Sequence, residues 1–139
     1  MKAMRGLIVD HNGVLDGAEE DRRRWRKLLS TAREEGLATA IISNAPDDAS
    51  SDPIRQWQED GFVDTVVLSG EVGVEKSDEA IFKIAAERLE LPVNDLVMVD
   101  DSIVNVKGAV EAGMIAVYYQ QFDRMIVEVQ NIFDLEGEF

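Results

Sequence analysis

The chain has 139 residues, enough for one sizeable hydrophobic core and too few for two comfortable ones, so a single domain over 1–139 is expected. Its 28 acidic residues against 14 basic ones leave a formal charge of −14, which opposes binding to duplex nucleic acid and to anionic membrane surfaces. Cysteine is absent, which excludes disulfides, thiolate metal sites and thiol catalysis and fits a cytoplasmic protein.

The N-terminal lead-in ends its apolar stretch at Asp10, too short for the hydrophobic region of a signal peptide or for a membrane span. Leu7-Ile8-Val9 lacks polar alternation, as expected of a strand buried on both faces of a parallel sheet. Residues 19–35 carry Trp25, Leu28 and Ala32 at helical spacing, with Gly36 as the stop. On this helix the basic run from Arg22 to Lys27 reads as a solvated face, and alternatively as an anion-attracting rim or subunit contact. Thr39-Ala40-Ile41-Ile42 makes a second strand. Asp52-Pro53 opens a short helix that runs through Trp57 and ends near Gly61. Thr65-Val66-Val67-Leu68 is a third strand. Ser77-Asp78-Glu79 starts a helix whose apolar face holds Ile81, Ile84, Ala85 and Leu89, stopped by Pro92. Leu96-Val97-Met98-Val99 is the fourth strand, followed by a helix with Ile103, Val106 and Val110 on its apolar face and Gly113 at its end. Ile115-Ala116-Val117-Tyr118 makes a fifth strand, and Met125, Ile126, Val129, Ile132 and Phe133 mark a last amphipathic helix.

Strand and helix alternate throughout, which predicts an α/β fold: a doubly wound parallel sheet of about five strands with helices on both faces. In such folds ligands bind beyond the carboxyl ends of the strands. The residues there are Asp10 after the first strand, Ser43-Asn44 after the second and Asp100-Asp101-Ser102 after the fourth, with Lys76 just before a helix. Set in "LIVDHNGVL", "IISNA", "VMVDDSIVN" and "GVEKSDEAIF", they resemble the four ordered motifs of the haloacid dehalogenase-like superfamily over residues 6 to about 118. Phospho-receiver domains use similar groups, but their acidic pair follows the first strand; here it follows the fourth.

The resemblance implies chemistry residue by residue. Asp10 would attack phosphorus to form an aspartyl-phosphate. Mg²⁺ would be held by the Asp10 carboxylate, the Asn12 backbone carbonyl and the Asp101 carboxylate. Ser43 and the Asn44 backbone amide would hold a phosphoryl oxygen, and Lys76 would balance the negative charge. Asp100 would orient Lys76 or a metal-bound water, or bridge to the metal itself, and Asn105 would support the loop carrying Asp101. Family phosphatases place a general acid–base where this chain has Asn12, and an amide cannot move that proton, which typically costs about 10²- to 10⁴-fold in rate. His11, the single histidine, is expected to point away from the phosphate, since neighbouring side chains of an extended segment diverge. Asn12-Gly13 is also a deamidation-prone pair, and the Asp product would restore the missing acid.

The intervals from Leu15 to Ser43 and from Asn44 to Lys76 are too short for a folded cap. The sequence therefore reads as a capless, phosphatase-type hydrolase with weakened acid–base chemistry, acting on a phosphorylated and possibly macromolecular substrate. The alternative is a non-catalytic phosphate- or protein-binding module on the same fold. Dehalogenase activity, which relies on a cap to enclose an organic acid, ranks third. Homo-oligomerisation is open, with Trp57, Phe122 and the 22–27 basic run as candidate contacts.

Overall fold

The computed structural model describes residues 4–139; the first three residues of the N-terminal lead-in lie outside them. Five parallel strands form one sheet in the order β3-β2-β1-β4-β5. They are β1 (Gly6–Val9), β2 (Ala38–Ser43), β3 (Thr65–Leu68), β4 (Leu96–Asp100) and β5 (Ile115–Tyr118). The helices are α1 (Glu19–Glu34), α2 (Asp52–Glu59), α3 (Ser69–Val72), α4 (Glu79–Leu89), α5 (Ile103–Ala112) and α6 (Phe122–Phe133). The predicted doubly wound sheet is therefore present. No domain is inserted among the described residues: only a short turn over His11–Leu15 and α1 separate β1 from β2, and only a short turn and α2 separate β2 from β3.

The alternation of side chains along each strand divides the core in two. Leu7, Val9, Ile41, Val97 and Val99 face Trp25, Leu28, Phe122 and Met125. Ile8, Ala40, Ile42, Val67 and Met98 face Ile81, Phe82, Ala85 and Ala109. Strands covered on both faces are almost wholly apolar, Thr39 being held by its bonds to Asp64, so the polar side chains cluster at their carboxyl ends. Val9 pairs with both Ile41 and Val99, and this register brings Asp10, Ser43 and Asp100 to one edge. The chain order reverses between β1 and β4, which is the switch point where a crevice opens.

Local signals account for the helices that frame this edge. Glu19, Glu20 and Asp21 lie in the first turn of α1, where acids complement the helix dipole. Asp78 caps α4 by accepting from the Ala80 N–H at 2.9 Å, as the Ser77-Asp78-Glu79 signal predicts. Helix α2 takes Ser51 as its cap residue, one position ahead of the expected Asp52, with Pro53 in the first turn.

Three expectations need correction. The Ile103, Val106 and Val110 face of α5 is not the core face: Ile103 and Val110 are 47% and 55% exposed, and the helix buries Gly108 and Ala109 instead. The cause is close packing, since a Cβ on Gly108 would lie 2.6 Å from the Ser77 carbonyl oxygen. Strand β5 is an edge strand with Ile115 and Tyr118 exposed and only Val117 fully covered. Finally, Trp57 and Phe122 are buried and so cannot be contact residues. Trp57 meets the Phe62 ring edge-on, and Phe122 meets Trp25 in a T-shaped contact at 5.4 Å.

The basic run on α1 is largely neutralised by the chain itself. Glu19 accepts from Arg22 and Arg26, Arg24 pairs with Asp123 at 2.7 Å and lies over the Phe122 ring, and Lys27 donates to the Glu138 carbonyl. A solvated, internally paired face describes it better than an anion-binding rim. Among the described residues no helix is long and apolar enough to cross a membrane.

Candidate active site

Lys76 is the centre of the site. Its Nζ donates to Asp10 Oδ1 and to Asp100 Oδ2, each at 2.7 Å. All three residues are buried, Asp100 completely. A buried ammonium between two carboxyl groups is held only because both partners are within hydrogen-bond distance. Burial is the main reason that the Asp10 carboxyl is raised to about 7, opposed by the attraction of Lys76 and reinforced by the Asp100 and Asp101 carboxyls.

The main chain of Lys76 is clamped by the side chain of Asn44. Asn44 Oδ1 accepts from the Lys76 N–H at 2.8 Å, and Asn44 Nδ2 donates to the Lys76 carbonyl at 3.0 Å. This two-way bond ties the end of β2 to the loop before α4. The sequence reading assigned Asn44 only through its backbone amide and missed this contact, because the two residues are far apart in sequence and share no periodicity.

Ser43 ends β2 with no exposure to solvent, and its Oγ has no hydrogen-bond partner among the described residues. A buried hydroxyl left unsatisfied costs stability, and a phosphoryl oxygen is the kind of acceptor that would satisfy it. Asp100 is held on its other side, where Oδ1 accepts from the Ser102 N–H at 2.9 Å. Asn105 reaches Asp100 Oδ2 from the first turn of α5 at 3.4 Å, so it supports Asp100 rather than the Asp101 side chain.

Asp101 follows and is exposed. Its position depends on Gly13: with φ at +81°, a Cβ there would lie 2.0 Å from Asp101 Oδ2. Carboxylate oxygens of Asp10, Asp100 and Asp101 all lie within 4.8 Å of one another. Three hard carboxylate oxygen donors brought this close together fit a small divalent cation such as Mg²⁺. Asp100 already accepts from Lys76 and Ser102, which leaves Asp10 and Asp101 as the freer pair.

The turn after β1 carries the two remaining candidates. Asn12 is exposed, and its Oδ1 lies 3.3 Å from Nδ1 of His11. His11 itself is buried at the core edge. The Gly13 N–H donates to Asp16 Oδ1 at 2.7 Å, a contact the sequence reading did not include. Beyond Lys76 lies an open hollow of about 700 Å³ bordered by Ser69, Gly73, Glu75, Ser77 and Asp78.

The sheet order, the switch-point crevice and this carboxylate–lysine cluster define a doubly wound α/β domain with a buried charged centre at its strand ends. The haloacid dehalogenase-like hydrolase family matches residues 3–113, and the chain belongs to that family. Curated relatives include the glyceraldehyde 3-phosphate phosphatase of Pyrococcus furiosus, 30% identical over 83% of this chain and 48% of the relative. The phosphoserine phosphatase of Thermus thermophilus is 30% identical over 84% of this chain and 53% of its own length. The chain thus spans about half the length of these relatives. A crystal structure of an uncharacterized protein from Corynebacterium glutamicum superposes with a TM-score of 0.97 and 58% identity, covering 99% of this chain and all of that one.

Proposed function

We propose that this chain is a Mg²⁺-dependent, phosphatase-type hydrolase that takes a phosphoryl group onto Asp10 and releases it slowly. The observation that carries the reading is the buried Asp10–Lys76–Asp100 trio beside the unsatisfied Ser43 hydroxyl. The two phosphatase relatives act on different phosphomonoesters, so their likeness supports the reaction class and leaves the substrate open.

Asp10 Oδ attacks phosphorus, and the bond from phosphorus to the leaving oxygen breaks. Lys76 holds Asp10 in place and offsets the charge that builds on the equatorial oxygens, while Ser43 donates to one of them. Asp10, Asp101 and the Asn12 carbonyl would hold the cation, which when bound neutralises the carboxylates and the phosphate so that they can meet. Asn12 has no proton to give to the departing alkoxide and no lone pair basic enough to take one from water. The leaving oxygen must then be protonated by solvent. In the second step water attacks phosphorus and the bond to Asp10 breaks, again without a positioned base. Good leaving groups suffer less in the first step only.

With no domain inserted over the strand ends, the site is open to solvent and suits a phosphate borne on a large molecule better than an enclosed metabolite. Absence of cysteine and the charge balance favour the cytoplasm as the compartment. A second reading, a phosphate-binding module without turnover, draws on the exposed Asn12 being turned toward His11. Hydrolysis of p-nitrophenyl phosphate with and without Mg²⁺ separates the two. The enzyme reading expects metal-dependent release that Asp10→Asn abolishes; wild type no faster than Asp10→Asn overturns it.

A further inference from the structure

Lys76 is not carried by a strand. It stands in the loop 73–78 between α3 and α4, yet its ammonium reaches the ends of both β1 and β4. Lysine is a point charge on a flexible four-carbon stem, so its tip is placed only as well as its main chain is held. The loop by itself supplies little hold. Its own backbone bonds join near neighbours, Gly73 N–H to the Ser69 carbonyl and Asp78 N–H to the Glu75 carbonyl, each at 2.9 Å. Among the described residues only the Asn44 side chain ties this loop's main chain to the sheet, through its bonds of 2.8 and 3.0 Å to the Lys76 N–H and carbonyl. Helix α5 adds a packing contact at the next residue, where a Cβ on Gly108 would lie 2.6 Å from the Ser77 carbonyl oxygen.

Three adjacent strands therefore fix one lysine. The end of β2, through Asn44, holds its main chain, while β1 and β4, through Asp10 and Asp100, hold its Nζ. These grips are not equivalent during the proposed reaction. When Asp10 attacks phosphorus it becomes an acyl phosphate and its attraction for the ammonium weakens, at the moment when Lys76 must offset charge on the phosphoryl oxygens. The Asn44 side chain bonds neither reacting group, so its grip on the lysine backbone lasts through the step.

We infer that Asn44 is a positioning residue for phosphoryl transfer: its side-chain amide fixes Lys76 relative to the phosphate-holding end of β2, and it acts on the chemical step more than on binding. The inference rests on the proposed reaction. Asn44 directly follows Ser43, so adjacent positions of one strand end set both the hydroxyl offered to the phosphate and the lysine beside it. Asn44 is also exposed, so its amide can be removed without opening the core. The same segment has a second tie that serves as a comparison: Ala45 N–H donates to Ser69 Oγ at 2.9 Å, and Ser69 Oγ donates to the Ala45 carbonyl at 3.2 Å. That tie anchors the start of α3 and makes no bond to the lysine.

Steady-state hydrolysis of p-nitrophenyl phosphate by the full chain in excess Mg²⁺ tests it, with Asp10→Asn as the blank. Asn44→Leu, similar in size and lacking both bonds, is expected to lower kcat about ten- to hundredfold while KM stays within about threefold. Asn44→Asp keeps the acceptor for the Lys76 N–H and loses the Nδ2 donor, so its kcat falls between those of Asn44→Leu and wild type; it decides alone if Asn44→Leu fails to fold by circular dichroism. Ser69→Ala loosens the same segment away from the lysine, and its kcat is expected within about threefold of wild type. An Asn44→Leu kcat within about threefold of wild type, a loss confined to KM, or an equal loss in Ser69→Ala overturns the inference alone. A wild type no faster than Asp10→Asn removes the proposed reaction and the inference with it.

Discussion

The two halves of the catalytic edge are held by different means. On one side, Asp10, Lys76 and Asp100 are buried and joined by two 2.7 Å charged hydrogen bonds, with Asn44 clamping the lysine backbone. On the other, the turn through Asn12 and Gly13 and the facing Asp101 are exposed, and the turn is held by local bonds within residues 11–16. In the proposed reaction the first half, which is expensive to disturb, sets where charge is stabilised, and the second, free to vary in its side chains, sets where protons go. That contrast explains how a chain can keep the charge-stabilising groups of a phosphoryl-transfer site while carrying an amide at the proton-transfer position.

The sharpest way to break the buried half is Lys76→Met. It leaves two buried carboxylates facing each other, so a loss of about 3–5 kcal/mol in urea unfolding is expected, with turnover of p-nitrophenyl phosphate falling to background. Stability unchanged within about 0.5 kcal/mol would mean that the trio is not an energetic unit. Asn12→Asp probes the exposed half: it is expected to raise turnover by about 10²- to 10⁴-fold with little change in melting temperature, since the side chain lies in solvent. A variant no faster than wild type would place the limit elsewhere in the site.

The raised Asp10 carboxyl gives the two halves different responses to pH. The folded chain holds this proton up to about 7, whereas the unfolded chain releases it near 3.8, so the associated stability is complete below the lower value and lost as pH rises through the higher one. In chelator, the melting temperature should fall between about pH 5 and 8; Asp10→Asn should flatten that slope, and excess Mg²⁺ should offset it by binding the ionised form. A slope that persists in Asp10→Asn would assign it to another group. The smallest effect is at Asp16. Deamidation of Asn12 requires the Gly13 nitrogen to attack the amide, and the bond to Asp16 holds that nitrogen; peptide mapping of aged Asp16→Ala should show faster conversion at Asn12 than wild type.

Which of these features could be read in advance follows from their range. Each strand is a short apolar run ending in a polar residue, so Asp10, Ser43 and Asp100 could be placed at one edge from the pattern alone. The same habit misled at α5, where Ile103, Val106 and Val110 have helical spacing yet Ile103 and Val110 stand half in solvent. Periodicity identifies an apolar face without saying what covers it, and here the small Gly108 and Ala109 take the inner position because the helix packs too closely for anything larger. The supporting role of Asn105 was legible from its place after Asp100-Asp101, though not its contact with Asp100, whereas the side-chain clamp from Asn44 to Lys76 left no trace in the pattern, since it joins segments far apart in the chain.

The chain's order of elements, the parallel sheet and the candidate residues at its edge follow from the sequence by itself, because burial on both faces forces apolar runs and exiles polar groups to strand ends. The tertiary structure alone decided that Lys76 binds two carboxyl groups at once, that the Ser43 hydroxyl has no partner among the described residues, and that Arg88 reaches the outer strand of the sheet at Val66. Those outcomes depend on distances between segments far apart in the chain, which only the packed core sets.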